Sequence, residues 1–446
     1  MKRIKSALLV VLLLPTALWF INHNLWPDQF TYFSFRRVFV QYSGVIAISV
    51  MSIAMLLALR PKFIEPYFKG LDKMYRLHKW LGISALVFSV SHWWFAKGTK
   101  WMVGWGWLER PERRPRGGGQ PDLGFIEGLF RAQRGLAETI GEWAFYAAAL
   151  LMVLALIKCF PYRWFAKTHN LLAVTYLLFA FHAMILLNFD DWSQPLGWLM
   201  IALLAGGSFS AVWVLLGRVG AKRKVNGEIE ALEYHQDMRL MEVTVKMDEG
   251  WPGHNAGQFA FAMSDRKEGP HPYTIASAWD PKTRLIHFII KALGDHTDKL
   301  NDKLSIGMPI TMEGPYGAFD FNDQHTRQIW IGAGIGITPF IARMKRLANT
   351  PDGKRIDFFH PTKHINNAFR SSLQADVEAS NINLHLMVDE QDGLLDARRI
   401  RTTVADWKTA SIWFCGPAAL GEAVRKDFIK NGLRPDQFHQ ELFKLR

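Results

Sequence analysis

Long apolar runs dominate the first half of this 446-residue chain and constrain its fold more than any other feature. A helix of about 20 apolar residues crosses a hydrocarbon core of about 30 Å. The N-terminal run begins MKRIKSALLVVLLLP, and five more apolar segments lie near 38–59, 80–96, 143–160, 170–189 and 196–216. The runs predict a multi-domain membrane protein whose residues 1–221 form an all-α bundle of six transmembrane helices.

The N-terminal run has the charged and apolar regions of a signal peptide, but no small-x-small cleavage site follows it. We predict a retained first span, with cleavage as the alternative. Basic residues in the 60–76 and 158–167 loops indicate that both chain ends are cytoplasmic. We therefore expect a multi-pass protein of a cell membrane, the inner one in a bacterium.

This orientation places the 97–140 segment outside. The segment is basic, with Arg110, Arg113, Arg114 and Arg116, which opposes the charge rule, although long loops obey that rule weakly. Its part 111–121 reads PERRPRGGGQP and predicts a flexible loop.

The second half of the chain has two other patterns. Residues 222–325 contain short alternating runs, MEVTVKM, GQFAFAM and LIHFIIKA, which predict an antiparallel β-barrel or sandwich, of which we prefer the barrel. Residues 326–446 alternate polar helical stretches with the apolar strands QIWIGAG, RIDFFH, INLHLMV and SIWFCG. That alternation predicts a parallel, Rossmann-like α/β domain.

Charge and cysteine content exclude some functions. The net charge is +13, which can indicate nucleic-acid binding, but much of it flanks apolar runs. We therefore predict a lipid bilayer as partner and no nucleic acid. Cys159 and Cys415 are the only cysteines and lack metal-site spacing, so a bound metal needs other ligands, of which histidine is the obvious one.

Four histidines lie in two of the apolar segments, His78 and His92 in the third, His169 and His182 in the fifth. Each pair is separated by roughly 20 Å along a helix, so one histidine lies near each membrane face. The two spans run in the same direction, which puts His78 level with His169 and His92 level with His182. Neutral imidazole is a natural axial ligand of haem iron; interfacial or core histidines are the alternative.

The two spacings differ in their helical phase. Fourteen residues return to within about 40° of the starting face, whereas 13 residues end about 140° away. The fifth helix therefore needs a local irregularity or a sideways reach to present both His169 and His182.

The strings LHKWLGISALVFSVSH and THNLLAVTYLLFAFH resemble the ferric reductase and NADPH oxidase family, which has this histidine spacing on its third and fifth helices. The resemblance covers nearly the whole chain except the 97–140 segment. It implies two stacked b-type haems, the inner one held by His78 and His169 and the outer one by His92 and His182.

Two further positions near the outer haem bear on its acceptor and its anchoring. Superoxide-producing animal members tend to have another histidine where Ala96 stands, which puts oxygen as the acceptor in doubt. Arg36 and Arg37, near the outer end of the second span, either pair with haem propionates or anchor the interface.

The string His271-Pro272-Tyr273-Thr274-Ile275-Ala276-Ser277 follows a β run. From its residues alone it is either a flavin cover or an ordinary strand start. It resembles the family's FAD motif, which implies that His271 faces the FAD pyrophosphate while Tyr273 and Thr274 face the flavin. The segment IIKALGDHTDKL resembles a second FAD segment and offers Lys291 and Thr297 as phosphate or ribose partners.

The string Gly332-Ala333-Gly334-Ile335-Gly336-Ile337-Thr338-Pro339 lies between the strand QIWI and the helix FIARMKRLA. Glycines at a helix N-terminus let the backbone approach a pyrophosphate, and the strand-turn-helix context indicates a nucleotide site. The string resembles the G-x-G-[IV]-T-P form of ferredoxin-reductase-like enzymes. Cys415-Gly416-Pro417 ends a later strand and is either a buried thiol or, by resemblance, lies beside the nicotinamide.

The C-terminal string HQELFKLR resembles the family's ending. It implies that Phe443 stacks on the flavin with Glu441 nearby; packing of Phe443 into a core is the alternative. We assign Thr338, Cys415, Glu441 and Phe443 to the catalytic site. His360, Lys363 and His364 either take a 2′-phosphate or form a solvated loop, so the donor is NADPH or NADH, with NADPH preferred.

Taken together, these expectations predict that the protein is an NAD(P)H-dependent oxidoreductase. Hydride passes from cytoplasmic NAD(P)H to FAD, and single electrons pass through the inner and outer haems to a ferric chelate or molecular oxygen outside. A second hypothesis is an electron-delivery subunit whose outer haem reduces a docked partner protein. A third is a non-enzymatic membrane anchor or channel-like protein.

Overall fold

The computed structural model describes residues 2–23, 26–27, 29–109, 124–157, 159–266, 268–294 and 296–441. The chain divides into two compact units. The first comprises Met1–Ile64 and Met74–Val219, and the second comprises Glu65–Lys73 and Gly220–Arg446.

The N-terminal half is helical. Its helices are α1 (Lys2–Asn22), α2 (Tyr32–Ala58), α3 (Glu65–Phe68), α4 (Leu71–Trp93), α5 (Thr99–Gly104), α6 (Phe125–Leu156), α7 (Tyr162–Leu186) and α8 (Pro195–Leu215). A π-helical turn, Trp94–Gly98, joins α4 to α5, and a 3-10 turn, Phe189–Ser193, precedes α8. Helix α2 begins with a capping box, in which the Thr31 hydroxyl accepts from the Ser34 amide and the Ser34 hydroxyl accepts from the Thr31 amide.

Five of the helices in the described part of the chain, α1, α2, α6, α7 and α8, are long and apolar enough to cross a membrane. Helix α4 has 23 residues, but its first turns carry Asp72, Lys73, Arg76 and Lys79, which makes it less apolar. The sequence predicted six transmembrane helices. Five have the required length and composition, and α4 as the sixth stays a prediction.

Helix α2 is the central helix of the first unit. In its most apolar stretch 61% of the residues are buried, against 17% in α1 and in α6. The outer helices expose large apolar side chains such as Leu150, Trp198 and Phe209. Exposed apolar surface of this extent is unfavourable in water and suits contact with lipid.

Helix α5 and the beginning of α6 lie within the segment 97–140, and the external position of this segment stays a prediction. Helix α6 starts at Phe125, well before the apolar run near 143. Its early turns mix apolar residues with Arg131 and Arg134, so a hydropathy criterion places its start too late. The loop predicted at 111–121 lies outside the described residues.

The second unit begins with a six-stranded antiparallel sheet, which confirms the predicted strand type. Its strands are β1 (Lys224–His235), β2 (Leu240–Met247), β3 (Phe259–Met263), β4 (His271–Thr274), β5 (Leu285–Lys291) and β6 (Pro309–Tyr316), in the order β4-β3-β6-β1-β2-β5. A single bridge pairs Ile275 with Phe288 of β5, so the two edges of the sheet approach each other. A closed barrel stays a prediction. A short helix, α9 (Leu300–Lys303), precedes β6.

A five-stranded parallel sheet follows, as predicted. Its strands are β7 (Arg327–Gly332), β8 (Arg355–Thr362), β9 (Asn383–Val388), β10 (Ser411–Cys415) and β11 (Phe438–Gln440), in the order β11-β10-β7-β8-β9. Its helices are α10 (Thr338–Asn349), α11 (Asn367–Ser380), α12 (Asp389–Asp392), α13 (Ala397–Thr403) and α14 (Ala418–Lys430). All five residues of β10 are buried, which explains the apolar run IWFC that follows Ser411.

The chain order makes β7 the switch point of this sheet. After β7 the chain adds β8 and β9 on one side, and then returns to add β10 on the other. In open α/β sheets the crevice at the carboxyl ends of the strands beside such a switch is the usual ligand site.

The segment Glu65–Lys73 is part of the second unit although it precedes α4. The Glu65 carboxylate accepts a hydrogen bond from the Gly317 amide at 3.0 Å and lies 3.7 Å from the Arg223 guanidinium. That guanidinium covers the Tyr316 ring at 4.3 Å. These contacts hold the segment against the turn that closes the antiparallel sheet.

Candidate functional site

Two histidine pairs lie between α4 and α7. The ring centres of His78 and His169 are 5.9 Å apart with their planes at 65°, and those of His92 and His182 are 6.2 Å apart with their planes at 85°. Two imidazole nitrogens on opposite sides of one metal ion lie about 4 Å apart when each bond is about 2 Å, and the ring centres lie farther apart. The residues that the sequence paired are thus at separations that fit one iron per pair.

Three of these histidines make a hydrogen bond that suits a metal ligand. Nδ1 lies 3.0 Å from the Ala54 carbonyl in His78, 2.9 Å from the Val40 carbonyl in His92, and 2.7 Å from the Ala137 carbonyl in His182. A carbonyl only accepts, so Nδ1 must carry the proton and Nε2 has the lone pair. Hydrogen bonds of this kind orient metal-binding histidines in proteins. The accepting carbonyls, on α2 and α6, carry no sequence signal.

Glycines let neighbouring helices approach His92 and His182. A Cβ added at Gly141 on α6 would lie 2.1 Å from Nδ1 of His182, and one at Gly44 on α2 would lie 3.2 Å from Cε1 of His92. Helix α7 is uninterrupted across both of its histidines. Of the two predicted alternatives, a local irregularity or a side chain that reaches sideways, the second fits His182, whose ring contacts the Ala137 carbonyl of α6. The ring of His169 stacks on Phe165, with the ring centres 5.0 Å apart.

The C-terminal end of α4, just beyond His92, continues into an irregular turn. The π-helical turn Trp94–Gly98 follows, and such turns are rare and frequently occur at functional sites. Arg36 donates to the Phe95 carbonyl from Nε at 2.7 Å and to the Ala96 carbonyl from Nη2 at 2.8 Å. Two donors of Arg36 are therefore used within the protein, and Arg37 is exposed.

The candidate flavin site lies on β4. His271 and Tyr273 alternate on this strand and line a cavity with Glu268, Phe288 and His296. The Thr274 hydroxyl is buried and has no hydrogen-bond partner among the described residues. Buried polar atoms are nearly always paired, so this hydroxyl fits a site whose partner is a ligand heteroatom.

The other residues of this string hold the strand in place. Pro272 pairs with Phe261 of β3, and Ile275 and Ala276 are fully buried. The Ser277 hydroxyl accepts from the His287 amide at 3.1 Å. The hydroxyl of Thr297 accepts from the Leu293 amide at 2.9 Å and closes a turn, while Lys291 ends β5.

His296 was not singled out from the sequence, although it stands in the string GDHT beside Thr297. Its ring stacks on His271 at 3.5 Å with the planes 6° apart, and its Nε2 lies 3.0 Å from the Tyr273 hydroxyl. Imidazole lone pairs lie in the ring plane, so two parallel stacked rings do not converge on one metal ion with Glu268. Burial first, and then His296, lower the pKa of His271 to about 4. A neutral His271 offers a pyrophosphate a hydrogen bond and not a full charge.

The glycine-rich turn and the Cys-Gly-Pro turn meet at the switch point. The Ala333 amide donates to the Cys415 carbonyl at 2.9 Å, and a Cβ at Gly336 would lie 2.3 Å from that carbonyl oxygen. Gly334 adopts a left-handed conformation, with φ of 56°, which favours glycine. The close approach leaves a cradle of backbone at the N-terminus of α10, which suits a pyrophosphate.

Residues around this cradle have structural contacts of their own. The Thr338 hydroxyl donates to the Ile335 carbonyl at 2.8 Å, and Pro339 occupies the first turn of α10, where a missing N–H costs nothing. Gly416 packs on Ala333, since an added Cβ would lie 2.8 Å from the Ala333 Cβ. Pro417 precedes α14.

Cys415 and Glu441 are brought close together and both are buried. Burial first, and then Glu441, raise the pKa of the Cys415 thiol, which is therefore protonated. Burial first, and then Asp72, raise the pKa of Glu441 to about 8. One Glu441 carboxyl oxygen has no hydrogen-bond partner within the described ranges. Phe443, predicted to cover the flavin, lies outside those ranges.

His360 has a different place from the one suggested by the sequence. It is buried, its Nδ1 lies 2.6 Å from the Gly332 carbonyl, and burial lowers its pKa to about 4. Neither a solvated loop nor a 2′-phosphate contact fits this position, and His360 instead supports the glycine-rich turn. Lys363 and His364 are exposed.

Two family models match the chain over these regions. "Ferric reductase like transmembrane component" matches residues 43–180, which include His78, His92 and His169. "FAD-binding domain" matches residues 226–320, which include the β4 string. The chain belongs to the ferric reductase and NADPH oxidase family. It is a membrane protein of that family.

Known relatives agree with this family. Respiratory burst oxidase homolog protein E of Arabidopsis thaliana is 27% identical over 224 residues, 43% of this chain and 22% of that protein. Ferric reduction oxidase 5 of Arabidopsis thaliana is 35% identical over 81 residues, 17% of this chain and 12% of that protein. The carnitine monooxygenase reductase subunit of Escherichia coli is 26% identical over 147 residues, 33% of this chain and 44% of that protein.

This chain spans less than half the length of each of these relatives. Among solved structures, a ferredoxin reductase in carbazole 1,9a-dioxygenase aligns with 49% of this chain and 69% of its own, at 19% identity and a TM-score of 0.42.

Proposed function

We propose that this protein is an NAD(P)H-dependent oxidoreductase that carries electrons across a membrane from cytoplasmic NADPH or NADH, through FAD and two b-type haems, to an external acceptor. Two facing pairs of histidines on α4 and α7 carry the proposal. The ring centres are 5.9 Å apart in the first pair and 6.2 Å apart in the second. Family membership supports the same reading of both units.

In the first unit His78 and His169 would hold the inner haem, and His92 and His182 the outer one. Bound haem supplies one-electron redox chemistry, and the protein supplies ligation, orientation and a dry surrounding. The carbonyls of Val40, Ala54 and Ala137 fix the proton on Nδ1 of three of these residues, so each offers Nε2 without a further deprotonation.

In the second unit FAD would bind along β4 and supply the exchange between hydride and single electrons. The unpartnered Thr274 hydroxyl supports a hydrogen bond to the flavin. Tyr273 and His271, which alternate with it along β4, line one cavity together. The turns that contain Gly336 and Cys415 would hold the nicotinamide nucleotide at the switch point. Glu441, buried beside Cys415, is a group that can hold or release a proton there near pH 8.

The topology is part of the proposal. Helix α4 would be a sixth span, the N- and C-termini would be cytoplasmic, and residues 222–325 and 326–446 would be the FAD and NAD(P) domains. A ferric chelate or oxygen would take electrons at the outer face.

Turnover in liposomes tests this function. The purified full chain is reconstituted and NADPH or NADH is supplied outside the liposomes. The acceptor is either a ferric chelate enclosed inside them or dissolved oxygen, which crosses the bilayer by itself. We expect acceptor reduction that His78→Ala abolishes, and that His23→Ala, which removes a histidine outside the two pairs, retains. Reduction only in the presence of an added partner protein would favour electron delivery instead. No reduction of any acceptor, together with no haem spectrum, would contradict the proposal.

A further inference from the structure

One face of α2 contacts the end of α4, the π-helical turn and the start of α5 at four-residue intervals. The Tyr32 hydroxyl lies 2.9 Å from the Thr99 hydroxyl, Arg36 donates to the Phe95 and Ala96 carbonyls, and the Val40 carbonyl accepts from His92. Positions spaced by four residues lie on the same side of a helix. A single stripe of α2 thus holds the outer histidine and the π-helical turn that follows it.

Arg36 makes the strongest of these contacts. A π-helical turn interrupts the regular hydrogen-bond ladder of a helix, and its carbonyls need other donors. The guanidinium is a rigid fork of always-charged donors, and charge-assisted hydrogen bonds are roughly twice as strong as neutral ones. The Thr99 hydroxyl adds a third donor, to the Phe95 carbonyl at 3.0 Å.

The packing around this turn has little freedom to relax. Phe95 packs on Phe39 with ring centres 4.5 Å apart, and a Cβ at Gly98 would lie 3.1 Å from the Trp94 ring. A charged side chain in a membrane helix is costly and usually functional. Arg36 is only half-buried, so its head group can stay near the interface while it holds the turn.

We propose that Arg36 is a positioning residue for the outer haem. By fixing the turn that follows His92, it holds that imidazole nearly perpendicular to His182, at 85°. The inference rests on the proposed function, because it requires a haem between His92 and His182. This role differs from a contact with a haem propionate. In such a contact the charge of Arg36 would act on the haem directly, whereas here its hydrogen bonds fix the turn after His92.

The ferric low-spin EPR spectrum tests this role, because the largest g value of a bis-imidazole haem rises as the two ring planes approach perpendicular. The variants are Arg36→Leu and Arg36→Lys in the purified full chain, with Arg37→Leu as the control that removes the neighbouring charge. We expect both Arg36 variants to lower the largest g value of the outer centre and shift its midpoint potential, and the inner centre to keep both. We expect Arg37→Leu, which removes an exposed side chain, to keep the largest g value of both centres, because a charge alone does not set the angle between the rings.

Lysine separates positioning from charge. It keeps the positive charge but cannot donate to two carbonyls as a planar fork, so positioning predicts that Arg36→Lys resembles Arg36→Leu. A lysine variant with the wild-type g value and potential would overturn the proposal in favour of a charge effect. Equal changes at both centres, or no change in Arg36→Leu, would also overturn it.

A milder substitution covers the case in which Arg36→Leu does not fold. Thr99→Val removes the hydrogen bonds of that hydroxyl to Tyr32 and to the Phe95 carbonyl while keeping its size. We expect a smaller shift of the outer centre in the same direction, and an unshifted outer centre would count against the proposal. If wild-type protein binds no haem, the proposed function fails; if it binds two and the variants do not shift the outer one, only this inference fails.

Discussion

The two units present their candidate ligand groups in opposite ways. In the first unit the candidate ligand atoms belong to side chains, those of His78, His92, His169 and His182. Backbone carbonyls position three of them, His78, His92 and His182. In the second unit the nucleotide cradle is backbone, from the turns that contain Gly336 and Cys415. A membrane helix must satisfy its own backbone groups, so ligands there have to be side chains, whereas a strand end leaves amides free to face an anion.

This difference teaches which substitutions separate the two sites. Removing an imidazole should reduce ligand binding in the first unit alone. Adding a methyl group to a glycine should reduce ligand binding in whichever unit has atoms packed against that glycine.

The largest expected effect comes from His92→Ala. We expect it to remove one of the two haems, because that haem loses one of its two ligands. The FAD content and the reduction of the flavin by NAD(P)H should stay intact, because the proposed FAD and nucleotide sites belong to the second unit. Haem and flavin are quantified per chain in purified protein. Ser91→Ala, at the adjacent position on α4, is the matched control. An unchanged haem content in His92→Ala would break the comparison.

Gly141→Ala should weaken the binding of the outer haem without replacing a ligand. The added Cβ would lie 2.1 Å from Nδ1 of His182, so the bond to the Ala137 carbonyl cannot form as it does now. Overpacking of this kind costs about 1–3 kcal/mol. Since each 1.4 kcal/mol is a factor of ten in an equilibrium constant, we expect the affinity for the outer haem to fall by about 5- to 150-fold. On the same helix Gly135 has open space around it, and Gly135→Ala should retain both haems.

Gly336→Ala is the counterpart in the second unit. Its Cβ would lie 2.3 Å from the Cys415 carbonyl oxygen, so the two turns must move apart. A misplacement of about 1 Å can cost about 100-fold in rate, and we expect flavin reduction by NAD(P)H in stopped flow to fall by at least about tenfold. Haem content and the dithionite-reduced spectrum should not change. Gly353→Asn, at a remote turn with φ of 71°, is the control, and a haem loss in Gly336→Ala would contradict the separation.

The smallest effect is a pH dependence of stability. The pKa of Glu441 is raised to about 8 by burial and Asp72, above an unfolded value near 4.5. The folded state therefore binds the proton more tightly, and the stabilisation is complete below pH 4.5 and lost as pH rises through 8. One pKa unit corresponds to about 1.4 kcal/mol, so a few kcal/mol are involved. Glu441→Gln should flatten the thermal stability profile of the full chain between pH 5 and 8, and an identical profile would show that Glu441 does not titrate in this range.

Much of the fold follows from pattern. Strands such as Leu240–Met247 and Arg355–Thr362 alternate or run apolar in ways that predict their sheets, and the apolar runs predict the helices. The beginning of α6 at Phe125 was missed because mixed polar and apolar residues lower its hydropathy. The membership of Glu65–Lys73 in the second unit was not predictable, since it depends on tertiary contacts of Glu65 with Gly317 and Arg223.

The candidate site shows the same limit. The histidine spacing predicted both pairs, because a histidine side chain is visible in the sequence. The partners of those histidines, carbonyls at Val40, Ala54 and Ala137, carry no signal, since every residue has a carbonyl. The π-helical turn at Trp94–Gly98 and its contacts with Arg36 depend on a local insertion that helical periodicity does not show. His296 was visible in the string GDHT, but only its stacking on His271 indicates a role.

Everything in the proposed electron path depends on two iron centres between α4 and α7. The most direct measurement is the protohaem and FAD content of the purified full chain, with a reduced-minus-oxidised spectrum of the same sample. We predict two protohaems and one FAD per chain, both haems low-spin and reducible. One protohaem or none, at full FAD content, would contradict the account.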